Sequence, residues 1–509
     1  MKHHFPRAYS IVGVICIIAA VSVVSQAQDF PVEWQAISGD EGAEAAMEPV
    51  SIQEGPAVHY HLEKVVIKGN RKTLRSVILR YLEIRPGDLF AAEDSSLEES
   101  KYRLLATGLF RRVSFELKKG SARGYVVLEI TVEERNTIVI NDFTIGITQT
   151  LQDIDKIVPF GSIGVLERSF LGTGIHLGGQ LAASDNQQAY RIYWRDDHFL
   201  NSRVGVHVDG LFAEAEEYFG AHFLRGKLDD AELRQYDRYS VVKYRRASIR
   251  LGTGYNLLTD YFFWCDFRFE NILQGEPRNI EREKEMTASG ADSQTRGTPY
   301  MEPDDSVLTS ALFGFTRDTT NHPVLPSDGS LTRLSVELSH PLLGSSYEYV
   351  KFILSHRVLF PFGKAGQSLG IEGVAGLISG DAPFFEQFFV GDYSATVPDR
   401  KLGLNFTNLH PRVLDTAIFD MWYEDLVISL CAEWSRPIYR GSGNVYGINV
   451  FVRMGAFALT SARHLDGSDF PVDITGDFGL RIDTSIGVLS FSFASVLQLI
   501  PPIRHETTE

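Results

Sequence analysis

Residues 263–270 read Phe-Trp-Cys-Asp-Phe-Arg-Phe-Glu, so that apolar and polar side chains largely alternate along the chain. Successive side chains of a β-strand point to opposite faces, which would place three phenylalanines and a cysteine on one face. The other face would carry Trp264 and the charged side chains of Asp266, Arg268 and Glu270. A soluble sandwich also alternates, but full charges suit a wet lumen and a phenylalanine-rich face suits lipid. The stretch therefore predicts a strand of a membrane β-barrel.

The same period of two recurs from Thr137 to Ile503, with no convincing amphipathic helix. At roughly 23 residues for each strand and its connection, this length predicts about 16 strands. We therefore expect a transmembrane antiparallel β-barrel over residues 137–509. Two long stretches lack the pattern: Gln274–Asp305, expected to be an extracellular loop, and Asp381–Asp425. Neighbours of opposite character illustrate the alternation: Leu177 and His176, Ile192 and Arg191, Val208 and Asp209, Leu338 and Glu337, Leu430 and Ser429, Phe491 and Ser490.

The overall composition limits the class of protein. With 65 acidic and 49 basic residues the chain carries a formal charge of −16, which argues against a nucleic-acid partner. The 44% hydrophobic and 22% charged residues are typical of a folded chain. No apolar run reaches the length of roughly 18 residues that a membrane-spanning helix needs, so an ordinary helical membrane protein is excluded.

The three cysteines, Cys16, Cys265 and Cys431, are too few for a disulfide scaffold and form no CxxC pair. Parity along the strands places Cys265 on an apolar face and Cys431 on a polar face. We expect no bridge between them, because side chains on opposite sides of a barrel wall cannot meet.

The N-terminal part of the chain predicts export. Residues 1–27 combine Lys2 and Arg7 with the apolar stretch 11–24 and a Ser-Gln-Ala end, an order typical of a cleaved signal peptide. An uncleaved anchor is the alternative. Residues 28–58 hold seven acidic residues, no lysine or arginine and no periodicity, which predicts a flexible acidic linker.

A small α/β module is predicted over residues 59–135. Its predicted elements are, in order, strand Leu62–Ile67, helices Thr73–Leu82 and Ser95–Ala106, and strands Val113–Leu117 and Tyr125–Val132. The order β-α-α-β-β is sufficient for one small core.

Four short motifs mark this module. They are Val66-x-Lys68-Gly69-Asn70, Ile84-x-Pro86-Gly87-Asp88-x-Phe90, Leu105-x-Thr107-Gly108-Leu109-Phe110 and Val132-x-Glu134-Arg135-Asn136. With them the module resembles a POTRA (polypeptide-transport-associated) domain over essentially its whole length. The resemblance implies a small α+β domain in the periplasm that passes unfolded chains along.

Such a domain would act through a sheet edge, whose unpaired backbone groups accept any extended peptide. We place the client-binding edge on the strand that carries Val113, Phe115 and Leu117, as a hypothesis. The alternative is a structural plug or spacer that contacts no client.

Three stretches of the predicted barrel carry a second resemblance. They are Leu171-Gly172-x-Gly174 followed by Tyr193-x-x-Asp196-x-x-Phe199, Phe315-x-Arg317-Asp318 with Pro326-x-x-Gly329, and Gly479-Leu480-Arg481-x-Asp483-Thr484-x-Ile486-Gly487. In this order, after the POTRA-like module, they resemble the BamA/TamA-type superfamily of outer-membrane proteins, also called the bacterial surface antigen family. The implied location is the bacterial outer membrane, with the POTRA domain in the periplasm.

The chain departs from this family at a loop. In the family a loop folds into the lumen and carries a Val-Arg-Gly-[Phe/Tyr] motif, whose arginine pairs with the aspartate of a Phe-x-Asp-x-Gly motif on the wall. The corresponding loop here, Gly391–Asp425, lacks that tetrapeptide, and its nearest candidate is Pro398-Asp399-Arg400-Lys401-Leu402-Gly403. On the wall, Phe451-Val452-Arg453-Met454-Gly455 has arginine in place of the acid.

These departures lead to a hypothesis for the latch. We assign Arg400 as the counterpart of the motif arginine. Because Arg400 facing Arg453 without an acid would be repulsive, we expect Asp399 to hold the loop to Arg453. The alternative is a loop that other residues hold, or a mobile one.

The resemblance implies a protein that assists insertion or assembly of client proteins in the outer membrane. The barrel seam would lie between a first strand near Ile138 and Ile140 and a last strand near Leu489, Phe491 and Phe493. Opening of this seam would expose strand edges that template client strands. A pore that secretes one partner polypeptide through the lumen and a structural surface antigen are the alternatives.

The expected partners are unfolded outer-membrane or secreted polypeptides and the lipid bilayer, with periplasmic chaperones or accessory lipoproteins as further candidates and no nucleic acid. The sequence has no GxSxG elbow, HExxH motif or P-loop. We therefore expect no enzyme activity, no catalytic residue, no cofactor and no metal.

Overall fold

A computed structural model gives the structure of the chain. It describes residues 59–91, 95–149, 157–185, 187–219, 240–257, 260–274, 301–302, 305–321, 325–363, 366–393, 399–406, 423–441, 443–460 and 472–497. The predicted signal peptide and acidic linker lie outside these residues, as does most of the predicted loop Gln274–Asp305. The described residues form two compact units. Residues within 59–66, 83–98 and 116–129 form one unit, and residues within 67–82, 99–115 and from 130 onward form the other.

The N-terminal module is a small α+β fold. Its elements are strand β1 (His59–Lys68), helix α1 (Arg75–Arg80), strand β2 (Leu89–Ala91), helix α2 (Ser95–Ala106), strand β3 (Phe110–Lys119) and strand β4 (Tyr125–Glu134). They include a four-stranded sheet in the order β2-β1-β4-β3, so that β2 and β3 are its edges. The predicted β-α-α-β-β order is confirmed, with β2 added between the helices. Three residues are too short to show a period, which is why the sequence pattern did not reveal β2.

Apolar residues at the predicted spacings are buried in each of the two compact units. Leu62 and Ile130 on the strands and Ile78 and Leu104 on the helices expose at most 1% of their area. In the described part of the chain, no helix is long and apolar enough to cross a membrane.

Fifteen further strands form one antiparallel sheet in the order of the chain. They are β5 (Ile138–Gln149), β6 (Ile157–Glu167), β7 (His176–Ala183), β8 (Gln188–Asp196), β9 (Val204–Phe219), β10 (Ser240–Asn256), β11 (Tyr261–Gln274), β12 (Ser306–Asp318), β13 (Gly329–Ser339), β14 (Glu348–Pro361), β15 (Ser368–Asp381), β18 (Leu426–Arg440), β19 (Val445–Thr460), β20 (Asp473–Thr484) and β21 (Gly487–Leu497). Residues 382–425 separate β15 from β18. They include the two-residue strands β16 (Phe388–Phe389) and β17 (Tyr423–Glu424), which pair with each other.

The faces of this large sheet are inverted relative to a soluble protein. On β11, Phe267 and Phe269 expose 46% and 45% of their area, whereas Arg268 and Glu270 expose 6% and 1%. Buried charges need paired partners, so the charged face lies inside with its counter-ions and the apolar face lies outside. The alternation predicted from residues 263–270 is confirmed, and the sheet forms a nearly closed barrel with a charged lumen.

The two cysteines of the barrel test the same parity. Cys265 is exposed on the outer face, Cys431 is half-buried on the lumen face, and both are free thiols. The prediction that they do not bridge is confirmed.

The strand count differs from the prediction of about 16, because the described part of the barrel has 15 strands. The prediction divided the length by one average for a strand and its connection. The connections differ widely, from Ser485–Ile486 to residues 382–425, so the average does not give the exact count. Since neighbours alternate in direction, β5 and β21 run the same way. The backbone N–H of Ile140 donates to the carbonyl of Ile486 at 2.6 Å. Within the described residues, this is the single backbone hydrogen bond between β5 and the β20–β21 hairpin.

Candidate functional site

Described residues between β15 and β18 pack in the barrel interior. We call these residues, 382–393 and 399–406, the luminal segment. Its large apolar side chains are almost fully buried: Phe384, Phe385, Phe388, Phe389, Val390, Leu404 and Phe406. Most of them share one apolar cluster with Tyr244, Tyr347 and Tyr349. The segment therefore packs against the barrel as a protein core does.

Short local structures shape this segment. Pro383 precedes a 3₁₀ turn over Phe384–Glu386, and a second turn spans Val390–Asp392. Between the turns, β16 pairs with β17 through Phe388 opposite Glu424 and Phe389 opposite Tyr423. The first turn places the carboxylate of Glu386 beside the charged wall of the lumen.

Glu386 is the main electrostatic anchor of the luminal segment. Its carboxylate lies 3.0 Å from Arg268, 3.3 Å from Arg246 and 3.6 Å from Lys351. Lys351 Nζ also donates to the Glu386 carbonyl at 2.6 Å. Glu386 is 7% exposed, so removing it would take one shared counter-ion from three cations in a buried site.

The wall supplies further acids for these arginines. Arg246 on β10 pairs with Glu270 on β11, and Arg268 pairs with Glu337 on β13 at 2.8 Å. The Tyr349 hydroxyl donates to Glu337 at 3.0 Å. The anchor of the luminal segment is thus part of a buried charge network that spans several strands.

Arg400 holds the luminal segment together from within. Its guanidinium donates to the carbonyls of Phe385 at 3.0 Å and Gln387 at 3.1 Å, and to Asp392 at 2.5 Å. It also lies over the rings of Phe389 and Tyr423. Arg400 therefore contacts the segment's own backbone and carboxylate, and it does not play the part of an arginine that reaches the wall motif on β19.

The structure does not bring the hypothesised latch partners together. Asp399 pairs with Lys401 at 3.2 Å, and Arg453 pairs with Glu433 at 2.7 Å. The reason is the register of the sheet, because Glu433 on β18 lies directly opposite Arg453 on β19. An acid on the adjacent strand thus satisfies Arg453 without the loop.

Glu433 is the centre of a second charge cluster in the lumen. Besides Arg453, it binds Arg481 of β20 at 2.5 Å and Arg357 of β14 at 3.4 Å. Its side chain is 7% exposed, whereas those of the arginines are 22–32% exposed. Through these ion pairs, the Glu433 carboxylate on β18 links its strand to β14, β19 and β20.

Lys401 ties the luminal segment to the first strand of the barrel. Its Nζ lies 3.0 Å from Asp142 of β5. Asp142 also accepts hydrogen bonds from Ser162 and, at 2.8 Å, from Gln180. The same lysine therefore links the segment to strands β5, β6 and β7.

Glu386, Glu433 and the Lys401–Asp142 pair were not predicted as site residues. Glu433 lies two residues after Cys431, which alternation placed on the polar face, so the face that Glu433 occupies was readable from the sequence. Its partners were not, because they depend on the register between strands. Nothing in the local sequence of residues 382–393 pointed to Glu386.

The exit motif of the N-terminal module has a definite structural role. The carboxylate of Glu134 accepts backbone N–H groups from Thr73 at 2.7 Å and from Lys72 at 3.0 Å. Gly69 has φ +89°, and a Cβ there would lie 2.0 Å from the Val132 carbonyl oxygen. The motif thus fixes the turn after β1 against the end of β4.

Arg135 continues this arrangement within the same compact unit. It pairs with Asp483 of β20 at 2.7 Å, and its guanidinium lies over the ring of Tyr446. The side chains of both partners of the ion pair are at most 12% exposed. The residue that follows β4 is therefore fixed to the barrel.

The hypothesised client edge lies on β3, at one end of the four-stranded sheet. Val113 is buried, Phe115 is half-buried and Leu117 is 37% exposed. The strand thus offers an edge, while only part of its apolar surface is accessible.

The hypothesised seam residues lie on the two end strands of the barrel. Ile138 and Ile140 are on β5, and Leu489, Phe491 and Phe493 are on β21. Ile138, Phe491 and Phe493 expose at least half of their area. Of these five residues, Ile140 makes the backbone hydrogen bond to Ile486 in the β20–β21 turn.

Among the described residues, no group of three or more His, Cys, Asp or Glu side chains is placed to hold a metal ion.

Comparison with known families gives two matches. Residues 169–396 match the Omp85 superfamily domain, and residues 60–135 match the POTRA family described as a surface antigen variable number repeat. The first match covers strands β7–β15 and part of the luminal segment. The second covers the N-terminal module.

Curated relatives agree with these matches. The chain is 24% identical over 357 residues to the outer membrane protein assembly factor BamA of Nitratidesulfovibrio vulgaris, covering 69% of this chain and 39% of that protein. It is 26% identical over 150 residues to a putative outer membrane protein assembly factor of Treponema pallidum, covering 29% and 17%. The chain therefore spans well under half the length of either relative.

Solved structures support the fold. CdiB from Escherichia coli is similar with a TM-score of 0.53 and 11% identity, over 86% of this chain and 73% of that one. At this identity the similarity concerns the fold alone. With a POTRA module, a 15-stranded sheet and both family matches, the chain belongs to the BamA/TamA-type Omp85 superfamily of outer-membrane β-barrel proteins.

Proposed function

We propose that this protein assists the insertion or assembly of client proteins in the outer membrane. The POTRA domain, placed in the periplasm, receives an unfolded chain through the edge strand β3. The barrel then templates client strands between β5 and β21. The reaction is an exchange of backbone hydrogen bonds and needs no covalent chemistry.

The observation that carries the proposal is the weak junction between the two ends of the sheet. Every other neighbouring pair of described barrel strands is joined by an antiparallel ladder, which a register shift interrupts in β5–β6, β18–β19 and β19–β20. Between the two ends of the sheet, one backbone hydrogen bond joins Ile140 to Ile486. Unpaired backbone groups in lipid cost several kcal/mol each. An incoming client strand would satisfy such groups on β5 or β21, and its own as well.

The luminal segment favours this route over secretion through the lumen. Passage of a polypeptide would have to displace aromatic side chains that are fully buried and separate Glu386 from Arg246, Arg268 and Lys351. Opening at the seam leaves these contacts in place. The secretion pore and the structural surface antigen remain the competing functions.

The relatives give limited support. The two curated proteins are named as assembly factors, but this chain spans 39% and 17% of their lengths. Client proteins, the bilayer and accessory lipoproteins or chaperones are therefore proposed partners, inferred from what those names describe.

Reconstitution in liposomes tests the proposal. A urea-unfolded outer-membrane barrel is added, and its insertion is followed by protease protection. Cys265 and Cys431 are first replaced by alanine, and Ile140→Cys with Ile486→Cys then locks the seam by a disulfide. We expect insertion faster than in empty liposomes, and loss of that acceleration under oxidising conditions with recovery after reduction.

A matched pair of cysteines controls for the lock. Phe313 and Val336 lie opposite each other on the neighbouring strands β12 and β13, away from the seam. A disulfide between Phe313→Cys and Val336→Cys should therefore leave insertion unchanged. Acceleration that survives the seam lock would contradict the proposal. Absence of acceleration together with ion conductance would favour the secretion pore, and absence of both would favour a structural role.

A further inference from the structure

A cavity of about 300 Å³ lies in the lumen beside the luminal segment. Six cationic side chains line it: Arg191, Arg246, Arg250, Arg268, Lys351 and Arg400. The lining includes three acids, Asp209, Glu270 and Glu386. The residues that line the cavity therefore carry more positive than negative charge, in a protein whose overall charge is −16.

Nearly all of these cations have a carboxylate partner. Arg191 binds Asp209 at 2.5 Å, Arg246 binds Glu270, and Lys351 binds Glu386. Two acids outside the lining serve the remaining pairs, because Glu337 binds Arg268 and Asp392 binds Arg400. Among the described residues, these pairs give every cationic side chain of the lining a carboxylate partner except one.

That residue is Arg250 on β10. Among the described residues it has no hydrogen-bond or ion-pair partner, and its Nε is fully buried. In the sheet it lies between Asp209 of β9 and Arg268 of β11. Since Asp209 is engaged by Arg191 and Arg268 is itself a cation, neither neighbour neutralises Arg250.

A second unsatisfied donor faces the same region. The Nε of Arg268 has no hydrogen-bond partner in the part of the chain that the structure describes, although the side chain is only 7% exposed. Buried donors without acceptors are rare because each costs free energy. Two arginine donors of this kind at one cavity indicate an acceptor other than the described side chains.

We infer that this cavity binds a phosphoryl group, as inorganic phosphate or a phosphate monoester. Planar guanidinium groups match the oxygen atoms of a phosphoryl group and hold them with paired hydrogen bonds, which a spherical halide cannot reproduce. The hydroxyl of Ser248 lies in the same lining and can donate as well. A bound phosphoryl group would supply the acid that Arg250 lacks.

The inference does not depend on the insertion proposal. It concerns the lumen wall and the luminal segment, whereas insertion is proposed for the seam between β5 and β21. Phosphate binding without insertion, or insertion without phosphate binding, would separate the two.

Calorimetry on the folded full chain in a nonionic detergent tests the site. Inorganic phosphate is titrated at constant ionic strength, with sodium chloride as the reference anion. We expect saturable binding of phosphate, and at least a tenfold loss of affinity in Arg250→Gln. Arg245→Gln is the matched control, since Arg245 is on the same strand but on the outer face, where it pairs with Glu214.

A second measurement distinguishes a ligand site from a structural arginine. Without phosphate, Arg250→Gln should unfold at the same temperature as the wild type or higher, because an uncompensated cation is removed. Phosphate should raise the unfolding temperature of the wild type and of Arg245→Gln, but not that of Arg250→Gln. A lower unfolding temperature of Arg250→Gln without phosphate would overturn the inference.

Two further titrations identify the source of the phosphoryl group. Glucose 1-phosphate represents a soluble monoester, and a short-chain phosphatidic acid represents a lipid headgroup. Binding that requires Arg250 supports the site in either case. The ligand that binds more tightly identifies the source of the phosphoryl group. The inference is overturned if the wild type binds no phosphate, or if Arg250→Gln binds it as the wild type does.

Discussion

Single carboxylates organise the lumen of this barrel. Glu386 holds the luminal segment, and Glu433 holds three arginines from three different strands. In a partly wet lumen each arginine alone gains little from such a pair. A buried carboxylate shared by three of them is different, because its loss leaves several cations uncompensated at once.

Glu433→Gln should therefore destabilise the barrel. The arginines around Glu433 are about a quarter exposed. We therefore expect a loss in the free energy of unfolding of about 2–3 kcal/mol, below the roughly 3–5 kcal/mol of breaking a fully buried pair. Urea unfolding in detergent micelles, followed by tryptophan fluorescence, measures the change. Glu348→Gln serves as control, since that side chain is 66% exposed and should change stability little. Equal effects of both substitutions would contradict the role of Glu433.

Which residues share a face of the wall could be predicted, but not which of them pair. Alternation placed Arg268, Glu337 and Glu433 on the polar face, because strand geometry has a fixed period of two. Pairing depends on the register and on side chains brought from distant strands. The hypothesised Asp399–Arg453 pair failed for this reason, since Glu433 already lies opposite Arg453.

At the scale of elements, turns and exits are fixed by single motifs. The carboxylate of Glu134 at the end of β4 accepts hydrogen bonds from the backbone of Lys72 and Thr73, which follow β1. Burial alone would raise the pKa of Glu134, but the hydrogen bonds donated by Thr73, Lys72 and Arg71 outweigh it and lower the pKa below the ordinary value. The turn after β1 thus depends on an ionised side chain.

This gives a pH prediction for the turn. A carboxyl group with a lowered pKa in the folded state stabilises that state above its unfolded pKa of about 4.3, and the contribution is lost as the pH falls through the folded value. Amide exchange of Thr73, compared with an amide of central β4, should therefore accelerate selectively below about pH 4. Glu134→Gln should show fast exchange at every pH. The prediction fails if the wild type shows no such acid step.

The helices and long strands were predictable from the sequence, whereas the lengths of the connections and the short strand β2 were not. Helix and strand periods located both helices and the long strands of the POTRA module, but the three-residue strand β2 is shorter than any period. In the barrel, the average length per strand gave about 16 strands, and the described part has 15. Alternation in the sequence indicates a strand, whereas no comparable pattern indicates the length of a connection.

At the scale of the whole barrel, closure depends on a small junction. The sheet is continuous from β5 to β21, and its two ends meet where Ile140 donates to Ile486. Gly487, the next residue, has φ +136°, and a Cβ there would lie 2.2 Å from the Ile140 carbonyl oxygen. The approach of the two ends therefore requires glycine at this position, both for the backbone conformation and for space.

Gly487→Ala should loosen the barrel at this junction. We expect a loss of about 1–3 kcal/mol from backbone strain alone, together with faster exchange of the Ile140 amide, because the added methyl group pushes β5 away. Heat resistance of the folded band on gels and urea unfolding measure the first effect, and hydrogen exchange measures the second. Gly443→Ala is the matched control in the neighbouring turn, where a Cβ would meet no atom within 4 Å. If both variants behave alike, the contact between Ile140 and Ile486 does not control closure, and a junction held elsewhere would have to explain how the barrel keeps its ends together.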